Sequence, residues 1–297
     1  MTQFSLSSWL SDNRQYLEPI LTGLLPTAPN TPQTLSHAIH YATLSGGKRL
    51  RAMLCLATSE MCQGDKKQAA IMASAIEMVH AYSLVHDDLP CMDDDTLRRG
   101  QPTCHVKYGE AVALLVGDAL LTQAFSIIST KLKEVDPAIR CELTGLLAAS
   151  AGASGMVGGQ YLDIMATAKT LDLTALQELH RGKTGALIKA SILSGALIAK
   201  ANATILHQLD LMADALGLLY QVVDDILDVE ASTEILGKTA GKDALQEKST
   251  YVTLLGLAEA KNQQNALCEK ALSFIEPYRP QSEALYQLII QISARDS

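Results

Sequence analysis

Aromatic residues and proline are scarce in this chain. Its 297 residues include one Trp, three Phe, nine Tyr and nine Pro. β-Sheets favour aromatic and β-branched side chains, whereas Ala and Leu, which recur throughout this sequence, favour helices. Charged residues make up only 19% of the chain and hydrophobic residues 48%, which is enough to form a sizeable core and excludes a disordered tail. The composition therefore predicts an all-α protein.

The chain also lacks an excess of positive charge and any paired cysteine motif. It has 24 Lys and Arg against 32 Asp and Glu, a net charge of −8, which excludes a generally basic nucleic-acid-binding protein. None of its six cysteines forms a CxxC pair, so we expect free thiols in a reducing compartment. No targeting pattern follows the N-terminus, which predicts a cytoplasmic protein.

Long apolar segments of the chain have the spacing of helices. Apolar residues recur every three or four positions over 68–86, 109–132, 173–200 and 205–229, and no hairpin or βαβ pattern interrupts them. The pattern predicts a single domain over the whole chain, built as a bundle of about ten helices. Residues 20–35 are expected to form an irregular connector after a short first helix.

One uncharged stretch, 143–162, reaches the length of a membrane-spanning helix. It contains five glycines together with hydroxyl and amide side chains. We therefore interpret it as closely packed helix in a soluble core and expect no membrane insertion.

The first acidic cluster lies at the predicted end of a helix. Five of the nine residues in 87–95 are Asp, and Pro90 should disturb the helix there. The carboxylates face one another and the negative end of the helix dipole, which favours a bound cation. The alternative is that the cluster is a solvated helix end.

A second acidic cluster lies within a predicted core helix. Asp224, Asp225 and Asp228 stand among apolar residues, and Asp224 and Asp228 share a helix face with Gln221. Carboxylates among aliphatic residues need cations, and oxygen-only ligands indicate a hard metal such as Mg²⁺. Two such clusters facing across a bundle would hold a diphosphate between them.

Basic residues lie beside several predicted turns. In a chain of net negative charge, this placement concentrates cations on anionic ligands, although single Lys and Arg residues more often only solubilise a surface. Gly46 and Gly47 would let the backbone approach a phosphate closely. Two Gly-Lys-Thr triplets, 182–184 and 237–239, lack the glycine spacing of a P-loop. The basic residues singled out are Lys48, Arg49, Arg51, Arg98, Arg99, Lys183 and Lys238.

Two histidines precede the first acidic cluster on the same predicted helix. His80 lies seven residues before Asp87, and so two turns away on one face, where it could donate to a phosphate or simply be a core histidine. The dipeptide His86-Asp87 matches the HD motif of helical metal phosphohydrolases. That alternative needs further histidine ligands, for which the sequence offers only His37 and His40.

In their order along the chain, these motifs resemble those of the trans-prenyl diphosphate synthases. Segment 86–100 resembles the family's first aspartate-rich motif in its DDxxxxD form, and 221–228 resembles the second. The similarity spans about 36–257, and the N-terminal 35 and C-terminal 40 residues add little. Ala52 and Val252 stand where the family commonly has Pro, so we expect altered local stiffness but unaltered chemistry. Further matching segments are 46–51, 102–103, 117–118, 158–160 with Asp163, 183–185, 237–239 and 243–251.

The resemblance implies an isoprenoid synthase fold, in which the helices surround a central cavity, and a homodimer. Family members join isopentenyl diphosphate head to tail to an allylic diphosphate, here dimethylallyl and then geranyl diphosphate. The implied cofactor is Mg²⁺, with about three ions per site and Mn²⁺ as a substitute. The released diphosphate is expected to accept the proton that is finally lost. The apolar segment 109–132 is a candidate dimer interface.

The resemblance also implies a role for each matching residue. Asp87, Asp93 and Asp224 are predicted metal ligands, supported by Asp88 and Asp228. Lys48, Arg51, His80 and Arg99 are predicted to bind isopentenyl diphosphate. Arg98, Lys183 and Lys238 are predicted to bind the allylic diphosphate, with Thr184 and Gln221 near the reacting carbons; Lys183, Thr184 and Gln221 form the predicted catalytic set.

Product length in this family is set just before the first aspartate motif. Tyr82 stands five residues before Asp87, and Ser83 four residues before it. An aromatic residue there accompanies short products, which predicts a C15 product, farnesyl diphosphate; the alternative is that Tyr82 is one more core aromatic. Three other functions remain as alternatives: an HD phosphohydrolase, a class I terpene cyclase and a non-catalytic helical scaffold.

Overall fold

The structure, a computed structural model, describes residues 4–167, 169–234 and 249–295 and, within 231–234, the backbone alone. Almost all of this is helix, which confirms the all-α prediction. The helices are α1 (Leu6–Leu24), α2 (Gln33–Leu44), α3 (Leu50–Met61), α4 (Lys66–Asp87), α5 (Cys104–Tyr108), α6 (Glu110–Lys131), α7 (Pro137–Ala151), α8 (Met156–Ala166), α9 (Leu173–His180), α10 (Ala186–Ile198), α11 (Ala203–Glu234), α12 (Tyr251–Leu255), α13 (Leu257–Ile275) and α14 (Glu283–Ser293).

Helix α4 is the centre of the bundle. The Asp65 carboxylate caps its start by accepting a hydrogen bond from the Gln68 backbone N–H, 2.7 Å away. Every residue in 68–79 is buried, because α3, α6 and α10 pack around this helix. It ends at Asp87, three residues before Pro90, as the sequence predicts. The first acidic cluster is therefore held at the end of a buried, well-fixed helix.

Two short elements other than α-helices lie between helices of the bundle. A short antiparallel hairpin pairs β1 (Leu97–Arg98) with β2 (Gln101–Pro102); it lies between the predicted helical segments 68–86 and 109–132 and interrupts neither. Its two turn residues, Arg99 and Gly100, have positive φ angles of 52° and 73°, as in a type I′ turn, but Arg-Gly is a weak sequence signal for that turn. Within the predicted helical segment 173–200, Arg181–Gly185 forms a π-helical turn between α9 and α10.

The N-terminal helix is longer than predicted. Helix α1 continues through Pro19 to Leu24, which shortens the expected connector 20–35 to the segment between α1 and α2. Leu17 and Leu21 are fully buried on this helix, so tertiary packing outweighs the cost of an internal proline.

The uncharged stretch 143–162 is only partly a core segment. Leu143 and Leu147 of α7 are buried, but Tyr161 and Leu162 of α8 are 61% and 46% exposed. Among the described residues, only α6 is long and apolar enough to span a membrane, and 39% of its most apolar window is buried. Length and composition alone do not distinguish such a helix from a helix of a soluble core.

Candidate active site

Three adjoining cavities surround the C-terminal half of α4. The cationic cavity, about 860 Å³, is lined by Lys48, Arg49, Arg51, His80, Arg99 and Arg295, with Glu77, Asp224 and Asp228. The apolar cavity, about 400 Å³, is lined by Tyr82, Asp87, Gln160, Lys183 and Thr184 among mostly apolar surface. The acidic cavity, about 190 Å³, is lined by Asp163, His180, Lys183, Gln221, Asp224 and Asp225. The cationic and apolar cavities share Arg51 and His80. The apolar and acidic cavities share Lys183, and the acidic and cationic cavities share Asp224.

The two predicted metal ligands of the first cluster lie close together. The turn after α4 folds back so that the Asp93 backbone N–H donates to the Asp87 carbonyl oxygen, 2.9 Å away. The pKa of Asp87 is raised to about 6, mainly by burial; the charge of Lys183 lowers it and the charge of Asp93 raises it. The site thus holds a carboxylate whose charge is poorly stabilised by the protein alone.

Buried Asp88 and half-buried Arg98 form an ion pair next to these ligands. The Asp88 side chain is only 4% exposed and accepts hydrogen bonds from Arg98 Nε and Nη2 at 2.6–3.0 Å. The sequence predicts that Arg98 binds a diphosphate, but here its guanidinium is held by Asp88, with Asp95 3.9 Å away. Asp88 is engaged by Arg98 rather than directed at a metal, which fits its predicted supporting role.

Lys183 lies in the π-helical turn and is fixed by an acidic partner. Its Nζ donates to Asp163 Oδ2 of α8 at 2.6 Å. Burial lowers the pKa of Lys183, but Asp163, Asp87 and Asp93 raise it more, so the ammonium stays charged. Helix α8 reaches this turn through Gly159, where a Cβ atom would come within 2.0 Å of the Lys183 backbone nitrogen. The lysine is therefore positioned both by its side chain and by its backbone.

The second acidic cluster differs from its prediction in which carboxylate is buried. The buried one is Asp225, 6% exposed, which accepts a hydrogen bond from the Tyr251 backbone N–H at 2.7 Å. Asp224 is exposed and Asp228 is half-buried. The expectation that both are buried among aliphatic residues is therefore wrong, because their face of α11 borders cavities instead of core. Two residues of the predicted catalytic set are in contact: Thr184 Oγ1 donates to Gln221 Oε1 at 2.6 Å.

Sequence reasoning missed Arg295, the last residue described. Its Nη2 lies 2.5 Å from Asp224 Oδ1, and its guanidinium lies 4.6 Å from the centre of the Tyr220 ring. The C-terminal residues carried no motif, so the only available signal was a lone Arg after an apolar helix. The C-terminus thus contributes a cation to the cationic cavity.

Glu77 is the second missed residue, a carboxylate 3% exposed beside the basic motif. Its Oε2 lies 3.5 Å from Arg49 Nη1, and its Oε1 accepts a hydrogen bond from the Ala52 backbone N–H at 3.1 Å. A proline at position 52, where the family commonly has one, could not donate that bond. The signal in the sequence was a single Glu within an otherwise apolar helical run.

The four predicted isopentenyl diphosphate ligands meet in the cationic cavity. Burial, and then the charges of Arg51 and Arg99, lower the pKa of His80 well below its usual value, so His80 is neutral at pH 7. Arg99 donates to the Gly46 carbonyl oxygen and lies against Gly47, which has a φ of 120° and where a Cβ atom would come within 2.7 Å of the guanidinium. The glycines thus admit the arginine.

The predicted product-length residues border the apolar cavity. Tyr82 is 6% exposed and packs edge-on against His86, with ring centroids 5.7 Å apart. Ser83 Oγ donates to the His80 carbonyl oxygen at 2.9 Å. His86 Nε2 lies 3.0 Å from the Leu114 carbonyl oxygen, and His40 Nε2 lies 3.3 Å from that of Pro26, so neither is arranged as the ligand that an HD phosphohydrolase needs.

The donor set fits Mg²⁺ held jointly with a phosphate ligand. Within the described ranges, no three His, Cys, Asp or Glu side chains form a metal cage. Mg²⁺ usually takes one or two protein carboxylates and completes its shell with water and phosphate oxygens. Asp87 and Asp93 supply such a pair, and Asp224 lines the adjoining acidic cavity. A cation would also stabilise the ionised form of Asp87, whose pKa is raised mainly by burial and to a lesser extent by the charge of Asp93. Lys238 lies outside the described residues.

Comparisons with known proteins agree with this geometry. The sequence model of the polyprenyl synthetase family matches residues 32–289. The farnesyl diphosphate synthase of Escherichia coli (strain K12) is 47% identical over 270 residues, 88% of this chain and 90% of that protein. The chloroplastic geranylgeranyl pyrophosphate synthase of Capsicum annuum is 44% identical over 268 residues, 90% of this chain and 73% of that protein.

A solved structure extends the agreement to the whole fold. The apo crystal structure of an FPP/GFPP synthase from Zymomonas mobilis superposes with a TM-score of 0.88 and 36% identity, covering 97% of this chain and 98% of that one. Such similarity confirms the isoprenoid synthase fold that the motifs imply. With the family model matching well over half of its length, the chain belongs to the polyprenyl synthetase family.

Proposed function

We propose that this protein is a farnesyl diphosphate synthase. It condenses isopentenyl diphosphate with dimethylallyl diphosphate and then with geranyl diphosphate to give (2E,6E)-farnesyl diphosphate. The observation that carries the proposal is that the cationic cavity meets the apolar cavity, which is lined by Tyr82, Asp87 and Lys183, at the shared residues Arg51 and His80. A terpene cyclase has no use for a second, metal-free diphosphate site.

Isopentenyl diphosphate binds in the cationic cavity. Lys48, Arg51 and Arg99 neutralise its diphosphate, and neutral His80 donates a hydrogen bond to it. Because Arg51 and His80 also line the apolar cavity, the isopentenyl double bond faces the allylic substrate there. This orientation holds the two reacting carbons near each other.

The allylic diphosphate binds between the aspartate clusters, with its tail in the apolar cavity. Lys183 contacts the diphosphate, as do Arg98 and Lys238 in the predicted assignment. Asp87, Asp93 and Asp224 hold Mg²⁺, which supplies Lewis-acid stabilisation of the negative charge on the departing group.

The reaction follows from this arrangement without a side-chain nucleophile. The allylic C–O bond breaks, and its electron pair leaves with the diphosphate. The isopentenyl double bond attacks the allylic cation, and the released diphosphate accepts the proton that is lost. Thr184 and Gln221 place dipoles near the reacting carbons, and the apolar cavity excludes water from the cation.

Tyr82 sets the product length in this proposal. We expect Tyr82→Ala to enlarge the apolar cavity and to shift the main product from C15 to C20 or longer, because the tail of farnesyl diphosphate then fits as an allylic substrate. Tyr161→Ala is the control, since this tyrosine borders the same cavity but is 61% exposed. Liquid chromatography with mass spectrometry measures the products. A C15 product from the Tyr82 variant would contradict this role.

The remaining features of the proposal concern the assembly and its setting. The chain acts as a single domain over residues 1–297 and as a cytoplasmic homodimer that does not insert into a membrane. Exposed Leu114 and Leu115 on α6 support that helix as the dimer interface. Mn²⁺ is expected to substitute for Mg²⁺, since both prefer oxygen ligands.

A further inference from the structure

Gln160 has a buried amide without a hydrogen-bond partner. It lies on α8 and lines the apolar cavity. Its Oε1 and Nε2 atoms are both shielded from solvent, and neither forms a hydrogen bond with any described residue. Buried amides are normally satisfied, because an unpaired buried donor or acceptor costs free energy. A leucine or methionine would line this cavity without that cost, so the amide needs an explanation outside the protein's own contacts.

The position of Gln160 is fixed relative to the phosphate-binding groups. The preceding residue, Gly159, packs against the Lys183 backbone nitrogen. Three residues later on the same helix, Asp163 accepts the hydrogen bond from Lys183 Nζ at 2.6 Å. Helix α8 is therefore held against the π-helical turn on both sides of Gln160. The unpaired amide is part of the rigid wall that also presents Asp87, Lys183 and Thr184 to the cavity.

We propose that Gln160 is a further catalytic residue, whose amide contacts the reacting end of the allylic diphosphate. This inference rests on the proposed function. When the C–O bond breaks, negative charge grows on the diphosphate and positive charge on the allylic carbons. The amide N–H group donates to the diphosphate oxygen, and the amide oxygen directs its dipole toward the allylic cation.

A neutral amide suits this position better than a charged group. A carboxylate could trap the allylic cation as an ester, and an ammonium would oppose the positive charge on the carbons. The amide stabilises both developing charges and carries no net charge itself. Leaving the amide unpaired costs free energy in the free protein. That cost is offset in the transition state, when the amide interacts with both developing charges.

Substitution of Gln160 tests the inference through two readouts of opposite sign. We expect Gln160→Leu to lower kcat with geranyl diphosphate about 10- to 100-fold, to leave KM for isopentenyl diphosphate within about twofold, and to keep or raise the melting temperature. Gln160→Met, which is flexible and matches the length of the side chain, is the second variant in case the leucine packs poorly.

Gln123 is the matched control, because its amide is half-buried but paired. Its Nε2 donates to the Leu24 carbonyl oxygen at 2.8 Å, so Gln123→Leu should lower the melting temperature and leave kcat unchanged. The inference is overturned if both Gln160 variants keep the wild-type kcat, or if their activity falls only in parallel with thermal stability. If the wild-type protein itself forms no farnesyl diphosphate, the proposed function fails first.

Discussion

Asp87→Asn should lower kcat by about a thousandfold or more and yet stabilise the metal-free protein. The loss of activity is expected because the amide replaces an anionic ligand of the metal that stabilises the negative charge on the departing diphosphate. The gain in stability is expected because burial, with the added charge of Asp93, makes the ionised form of Asp87 costly in the folded state. The Asp87 carboxylate thus serves metal binding and reduces the stability of the metal-free fold.

The pH dependence of this gain follows from linkage. Burial raises the pKa of Asp87 from its ordinary 3.8 to about 6, so between these values the folded protein binds more protons than the unfolded chain. Stability of the wild-type protein, relative to the variant, should therefore fall as pH rises from about 4 to about 6 and stay lower above that. At pH 8 the variant should be more stable by about 1–3 kcal/mol.

Thermal unfolding in EDTA at several pH values, together with product formation in Mg²⁺, measures both effects. Asp94→Asn is the matched control: Asp94 is exposed and has a φ of 49°, a left-handed conformation that Asn also adopts readily. Its activity should stay within about twofold of the wild type. Wild-type activity in the Asp87 variant would remove it from the metal site, and a lower melting temperature at pH 8 would contradict the electrostatic argument.

Gly159→Ala should impair both stability and catalysis through a steric clash. The added Cβ would come within 2.0 Å of the Lys183 backbone nitrogen and 2.6 Å of its Cα atom. Backbone atoms cannot rotate away as a side-chain tip can, so either α8 or the π-helical turn must shift. We expect a destabilisation of about 1–3 kcal/mol from overpacking and a fall in kcat of about 100-fold, because Lys183 and Thr184 lose their positions.

Gly145→Ala provides a control of the same chemistry on the neighbouring helix. Gly145 lies within α7, and no atom lies within 4 Å of a Cβ built there. Alanine favours a helix interior over glycine, so this variant should keep full activity and gain up to about 1 kcal/mol of stability. Wild-type kinetics in the Gly159 variant would show that the close approach of α8 does not position the site.

The sequence predicts the site best where a cluster of charged residues ends a long helical segment of regularly spaced apolar residues. Helix α4 was predicted within two residues at its start and one at its end, because its apolar pattern and Pro90 mark both boundaries. The order of motifs was also enough to identify the family. Local charge and spacing are present in the sequence itself, so these features need no knowledge of tertiary contacts.

The remaining features depend on contacts between distant segments. Asp224 and Asp225 are adjacent and chemically identical, and only the packing of α12 decides that Asp225 is buried by bonding Tyr251. The pairing of Arg295 with Asp224 joins residues 71 positions apart without a motif. The π-helical turn likewise packs closely against α8 at Gly159, which is distant in sequence. Periodicity cannot report these features, since they are properties of helix-to-helix packing.

One measurement tests the central claim most directly: a time course of the purified protein with Mg²⁺, isopentenyl diphosphate and dimethylallyl diphosphate, followed by mass spectrometry of the products. The account predicts transient geranyl diphosphate, accumulation of farnesyl diphosphate as the main product, and loss of both in EDTA. A dominant C20 product would contradict the chain-length role of Tyr82 while keeping the chemistry. Release of inorganic phosphate, or a cyclised hydrocarbon, without condensation would contradict the proposed function itself.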